Sequence, residues 1–307
     1  MARRRNDPPL TGVLLIDKPA GATSHDVVAA VRRALNMRRV GHAGTLDPMA
    51  TGVLVVGVGS TTRLLGIVGG HDKDYLATIR LGASTVTDDR EGEVVATCEP
   101  EVLKAVTDER VHSAVAEFVG MIAQRPSAVS AVKIDGKRSY QRVREGQEVE
   151  LPERMVTVST CEVLGIERSD DWVDVRVRVA CSAGTYIRAL ARDLGAVLGV
   201  GGHLCALRRT RSGNVPVAEC RGIEDLSSAA LVTPAQFARR ELPVLEVQAD
   251  EAIKVRNGIR LLVSAPDTSG LAVIGPGDDL LAVAEVVGGS LNYRAVFPPS
   301  GDPADRG

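Results

Sequence analysis

The residue most able to do chemistry is Asp47, in GHAGTLDP (41–48). Gly41 and Gly44 admit backbone angles that residues with a Cβ avoid. Pro48 drives Asp47 toward an extended conformation, and the apolar run VLVVGV (53–58) follows closely. The stretch reads as a shaped loop that presents a carboxylate at the lip of a buried strand. The plain alternative is loop capping, in which an Asp side chain closes its own turn. A second Gly-flanked element, CSAGTYIRALARDLG (181–195), sets Arg188 at the start of a helix just past a strand. A helix start disfavours positive charge, so an Arg there points to an anionic partner, against its bland reading as a surface cation. Were that partner Asp47, the guanidinium would keep the carboxylate ionised. An ionised, oriented carboxylate is a competent nucleophile. Tyr75 and Tyr186 each sit beside one of these elements; core packing is the ordinary fate of such rings.

Other chemistries find no support. His42 and Asp47 lack a third ligand at metal-binding spacing. GHAG and VGVGS match neither a phosphate-binding loop nor a dinucleotide fingerprint. No GxSxG occurs. Asp72, Asp74, Asp88 and Asp89 are available as carboxylates, but nothing pairs one of them with Asp47 as a glycosidase requires.

Basic loops supply a second signal. Segment 124–146 carries Arg125, Lys133, Lys137, Arg138, Arg142 and Arg144 against Asp135 and Glu145, with Tyr140 among them. LRRTR adds Arg208, Arg209 and Arg211. Taken singly, such patches are solvated faces. Several around one shaped loop suit an RNA backbone and unstacked bases. Net charge is −2, but residues 241–307 hold 5 Lys+Arg against 10 Asp+Glu, which leaves 32 against 29 for residues 1–240. Affinity for phosphate must therefore come from local patches in the larger N-terminal part.

The elements that must position these residues follow from periodicity. TGVLLIDKP reads as a strand, and TSHDVVAAVRRALNMRRVG as a helix capped by Ser24, with Asp26 at its positive end and Val27, Val31 and Leu35 inward. KDYLATIRLG alternates, with Tyr75, Ala77, Ile79 and Leu81 on one face. Residues 101–119 fit one helix with Leu103, Val111, Val115 and Phe118 inward. In WVDVRVRVAC, Val173, Val175, Val177 and Val179 face in. Ile187, Leu190, Ala191, Leu194 and Val197 form a helical stripe that ends at Gly199. The class is α+β: a mixed, mostly antiparallel central sheet flanked by helices. Residues 1–11 read as a basic disordered arm, 12–240 as the main domain with a basic loop over about 124–154, and 221–245 as a helical connector. Residues 246–297 read as a small β-rich domain and 298–307 as a disordered tail. No run reaches the ~18 apolar residues of a membrane helix. The start MARRRNDPPLTG has no apolar core of a secretory signal. Five scattered cysteines without CxxC suit a reduced, cytoplasmic, zinc-free protein.

Together these stretches resemble the TruB family of tRNA pseudouridine synthases. GHAGTLDPMATGVLVVGVGSTTR carries the resemblance. LLIDKPAG, KDYLATIRLG, RPSAVSAVKIDGKRSY, CSAGTYIRALARDLG and GGHLCALRRTRSG continue it in order over about 12–215. It implies the pseudouridine-synthase fold with a PUA-like C-terminal domain, and isomerisation of uridine 55 in the tRNA T arm without a cofactor. It makes Asp47 the catalytic carboxylate, Tyr75 the ring that stacks on the target base, and Arg188 the partner of Asp47. Tyr186 and Leu207 would line the uracil pocket, and His42 would hold the displaced RNA loop. Lys18 and Arg63 would contact substrate. Lys133, Lys137, Arg138, Arg142, Arg208 and Arg209 would contact the RNA backbone. A monomer acting without guide RNA, metal or membrane is implied. Val86 stands where the family often has Asp, leaving Asp89 to carry over; Arg63 stands for a common Lys. The competing reading is a non-catalytic RNA-binding or RNA-folding protein on the same scaffold, and a third is a base-releasing glycosylase.

Overall fold

The computed structural model describes residues 10–127, 133–134, 137–138 and 151–299. The expected N-terminal arm up to residue 9, Arg142 with most of the basic loop, and the tail from residue 300 lie outside the described residues. Lys133, Lys137 and Arg138 fall in two short paired strands whose side chains are likewise not described. The chain divides into two compact units, one of residues 1–71 and 211–307, the other of 72–210.

In the first unit, β1 (Gly12–Lys18) and β2 (Val40–Ala43) both pair antiparallel with β3 (Thr51–Val58). The run VLVVGV shows no alternation because both faces of β3 are covered; Val53, Leu54, Val55 and Val56 are all 0% exposed. Leu54, Val56 and Val58, with Leu14 and Ile16, meet Val27, Val28, Val31 and Leu35 of helix α1 (Ser24–Leu35). Val53 and Val55, with Val13 and Leu15, share a core with Leu64, Phe237, Ile274, Val283 and Phe297. All of those last residues but Leu64 come from the far end of the chain. There, helix α6 (Pro234–Glu241) precedes a four-stranded sheet of β14 (Val244–Glu246), β15 (Thr268–Gly275), β16 (Asp279–Val287) and β17 (Ser290–Val296). The sheet's other face packs on helix α7 (Ala249–Arg256) through Val255, Leu271, Val273 and Leu281. Two 3-10 turns and α6 make up the connector.

In the second unit the strands run in the order β12 (Gly202–Ser212), β4 (Lys73–Leu81), β11 (Val173–Cys181), β10 (Arg154–Arg168), β7 (Gly120–Gln124). β4, β11, β10 and β7 pair antiparallel in turn. Tyr75 lies opposite Val179, and the alternating valines of β11 are buried. Helix α5 (Ile187–Leu198) buries Ile187, Leu190, Ala191 and Leu194 and ends at Gly199, whose φ is 76°. A side chain at Gly195 would stand 2.1 Å from the Gly202 nitrogen, so α5 approaches this turn as only glycine permits.

Three local expectations give way to longer-range contacts. The cap of α1 is Thr23, which forms a capping box with Asp26, while Ser24 sits inside the helix and bonds Leu46. Residues 101–119 form two helices, α3 (Pro100–Lys104) and α4 (Asp108–Ala116), because Thr107 starts a new cap; Phe118 lies beyond α4. Val197 is 54% exposed and Leu198 takes its place inward.

Candidate active site

The GHAGTLDP segment is held by its own unit at four points. β2 fixes Gly41 and His42 opposite Gly57 and Val56. Gly41 keeps a negative φ; what it supplies is space, since a Cβ there would lie 3.1 Å from Leu65. Gly44 does take the left-handed conformation, at φ 76°. The Ser24 hydroxyl then donates to the Leu46 carbonyl at 3.1 Å and accepts from the Leu46 N–H at 2.9 Å. The Ala50 N–H donates to the Asp47 carbonyl at 3.1 Å, closing a turn that presents a half-buried Asp47 side chain.

Lys18, expected on the substrate, is 0% exposed instead. Its ammonium donates to the carbonyls of Pro19 (2.9 Å), Ala22 (2.6 Å) and Pro48 (3.2 Å), so it clamps the residue after Asp47. A buried ammonium must be satisfied in this way, and strand β1 delivers it. His42 is half-buried, and the ring of exposed His25 meets it edge-on at 5.6 Å. Arg63 is exposed and donates to the Val296 carbonyl.

The second unit carries the GTYIR turn. Gly184 is left-handed at φ 85°, and the Thr185 hydroxyl donates to the Ser182 carbonyl at 2.9 Å. Tyr186 is the N-cap of α5 and has no side-chain cap. Its ring lies under the Arg154 guanidinium at 5.3 Å, a cation–π contact worth about 0.5–1 kcal/mol. Arg188 is buried at 7% exposure. Its Nη1 donates to the Thr87 carbonyl at 3.1 Å and to Asp89 Oδ2 at 3.3 Å. Asp89 is itself fixed, its Oδ1 accepting from the Thr87 hydroxyl at 2.5 Å and the Glu91 N–H at 3.0 Å. The helix-start arginine therefore has the anionic partner its position called for, and within this unit that partner is Asp89. Asp88, left-handed at φ 58°, bonds Arg192 at 3.3 Å. Burial pushes the Asp88 carboxyl up from the usual range, and Arg192 pulls it back.

Tyr75 is buried at 6% exposure on β4. Two residues earlier, Lys73 is buried, and desolvation, followed by the charge of Arg209, lowers its pKa to about 8. Arg209, expected at the RNA backbone, is 1% exposed. Alternation along β12 explains this: Leu207 and Arg209 turn inward while Arg208 is half-buried. Burial likewise lifts the Cys161 and Cys181 thiols to about 11. Among the described residues, no three His, Cys, Asp or Glu side chains gather as a metal centre. None of the described helices is long and apolar enough to cross a membrane.

Sequence reasoning missed Gln124 and Arg154 and gave Asp89 little weight. Gln124 is 0% exposed, and its amide bonds both backbone groups of Tyr186. Nothing in GMIAQ announces this, beyond a lone amide ending a short strand.

Comparison with known proteins bears on the family and the fold. Residues 32–187 match the profile described as TruB family pseudouridylate synthase, N-terminal domain, and residues 188–247 match the tRNA pseudouridylate synthase B C-terminal domain. A protein of Leifsonia xyli subsp. xyli named tRNA pseudouridine synthase B is 51% identical over 94% of this chain and 97% of its own. The protein of that name from Cutibacterium acnes is 51% identical over 89% of this chain and 92% of its own. Among solved structures, a chain of a Cbf5-Nop10-Gar1 complex superposes with a TM-score of 0.72 at 27% identity, covering 97% of this chain and 92% of that one.

Proposed function

The chain belongs to the TruB family of tRNA pseudouridine synthases, isomerases that turn uridine into pseudouridine, and on that premise we propose that it modifies uridine 55 in the T arm with Asp47 as its catalytic carboxylate. The observation that carries the reading is the Asp47 loop. Lys18 and Ser24 fix the backbone on either side of Asp47, and Gly44 shapes the approach to it, an outlay that simple RNA binding does not need. A pure RNA binder also gains nothing from negative charge beside phosphates.

In this reading Asp47 attacks the ribose C1′ or the uracil ring, and the C1′–N1 bond breaks. The uracil turns, C5 bonds to C1′ and the bond to Asp47 breaks to return the carboxylate, the C5 proton leaves, and N1 ends protonated. Tyr75 stacks on the base and is the candidate carrier of the C5 proton. Arg188 is assigned to pair with Asp47 and keep it ionised, and within the second unit Asp89 holds its guanidinium. Tyr186 and Leu207 line the uracil pocket, and His42 holds the displaced loop. Lys133, Lys137, Arg138, Arg142 and Arg208 meet phosphates; Arg209, being buried, is left out of that set. Extruding the base costs a few kcal/mol, and stacking returns about 1–3 kcal/mol. Because the uracil is retained, recombination is effectively unimolecular. Neither cofactor nor guide RNA enters, and the enzyme acts as a cytoplasmic monomer. Residues 12–240 form the catalytic domain and 246–297 a PUA-like one.

The test is incubation of the pure protein with an unmodified tRNA transcript, followed by mapping of pseudouridine. Wild type is expected to modify position 55, and Asp47→Asn to bind the tRNA yet form no product. Product at another position would overturn the assignment to U55, and near-wild-type turnover by Asp47→Asn would remove Asp47 from the mechanism. Free uracil would indicate a glycosylase.

A further inference from the structure

The first turn of α5 lacks a local means of satisfying its N-cap. A capping box would use a Glu or Gln side chain at the third helical position to accept from the N-cap N–H. That position holds Ala189, which has no such group, and the cap residue is Tyr186. Gln124 supplies the missing acceptor from the end of β7. Its Oε1 accepts from the Tyr186 N–H at 2.7 Å, and its Nε2 donates to the Tyr186 carbonyl at 3.0 Å. The side chain is 0% exposed, so these bonds form where water does not compete.

The chain just beyond Gln124 is tied to the same region. Arg192 Nη2 donates to the Arg125 carbonyl at 2.9 Å, and the Ser127 hydroxyl donates to the Thr87 carbonyl at 3.2 Å. That Thr87 carbonyl is the one that also receives Arg188 Nη1. The exit of β7, the first turn of α5 and the loop holding Asp89 thus form one bonded network inside the second unit.

We propose that Gln124 is a positioning residue for the isomerisation: by bonding both backbone groups of Tyr186 it sets the Tyr186 ring and, two residues on, the Arg188 guanidinium. The inference rests on the roles given above to Tyr186 and Arg188. Simple filling of space does not account for Gln124, since an apolar side chain of similar length would fill the site and leave the Tyr186 N–H without its acceptor. Catalytic geometry tolerates little such loosening.

The test uses Gln124→Met and Gln124→Glu in the full chain, with single-turnover pseudouridine formation, tRNA affinity and Tm as readouts. Gln124→Met is expected to slow the reaction about tenfold or more while tRNA affinity stays within about threefold, the size of effect that follows from orphaning one buried donor. Gln124→Glu provides the discriminating measurement. A protonated carboxyl donates and accepts as the amide does, whereas a carboxylate only accepts. Its rate relative to wild type should therefore climb as pH falls, since burial raises a carboxyl pKa and protonation restores the donor. Wild-type rates in Gln124→Met would overturn the inference. So would a loss of rate, affinity and Tm together in Gln124→Met, or in Gln124→Glu no recovery at the lower pH. An inactive wild-type enzyme would instead remove the functional reading on which the inference stands.

Discussion

At the scale of single residues, the Arg188–Asp89 pair is the most consequential contact outside the Asp47 loop. Both side chains are nearly sealed from solvent, at 8% and 4% exposure. Removing one charge from such a pair leaves the other buried without compensation. Asp89→Asn is expected to lower turnover at least about tenfold, with tRNA binding near wild type, because Arg188 loses a charge-assisted bond; filter binding beside single-turnover kinetics checks this. Lys73 gives a pH signature. Its folded pKa is about 8 against an ordinary 10.5, so between those values the unfolded chain keeps a proton that the folded chain has released. Folding stability should rise with pH across that window, and Lys73→Met should remove that part of the slope. Urea midpoints at two pH values inside the window measure it, and equal slopes in the two proteins would refute the assignment. Candidate residues were legible in their setting where glycines framed them: Gly44 ahead of Asp47 and Gly184 ahead of Arg188 are both left-handed. Lys18 and Arg209 were not. A basic residue in a motif looks the same in sequence whether it faces phosphate or is sealed inside, and only the strand that carries it decides.

At the scale of elements, periodicity found the helices and strands, and boundaries were set by contacts it cannot see. Thr23 and Ser24 are both good caps. Leu46, more than twenty positions away in sequence, claims the Ser24 hydroxyl and leaves the cap to Thr23. Thr23→Ala should therefore cost about 1 kcal/mol of stability. Ser24→Ala should also disturb the Asp47 loop, seen as a larger loss of turnover than of stability. The approach of α5 to the 201–202 turn makes a sharper prediction. A methyl group at 195 would meet backbone atoms at 2.1 and 2.2 Å. Gly195→Ala should then destabilise by about 3 kcal/mol or more, the upper range for overpacking, although alanine favours helix. A denaturant midpoint at or above wild type would show that the helix can move away.

At the scale of the whole molecule, the class of fold was readable and the partnership of its ends was not. The β-rich character of residues 246–297 follows from alternation alone. That Ile274, Val283 and Phe297 lie in one core with Val13, Val53 and Val55 does not, because no local pattern names a partner more than two hundred residues away. VLVVGV gave the one available hint. A strand buried on both faces needs two covers, and α1 provides one. Apart from Leu64 and Val68, which follow β3 directly, the second cover leaves the ribosome last. At about 5–20 residues per second, the apolar side of β3 waits on the order of 10–50 s for its companion strands. Nascent chains arrested once residue 210 has emerged should thus be cut readily by protease within 10–71, and full-length chains should resist. The yield of folded protein should accordingly rise with the supply of chaperones that can shield that surface during translation.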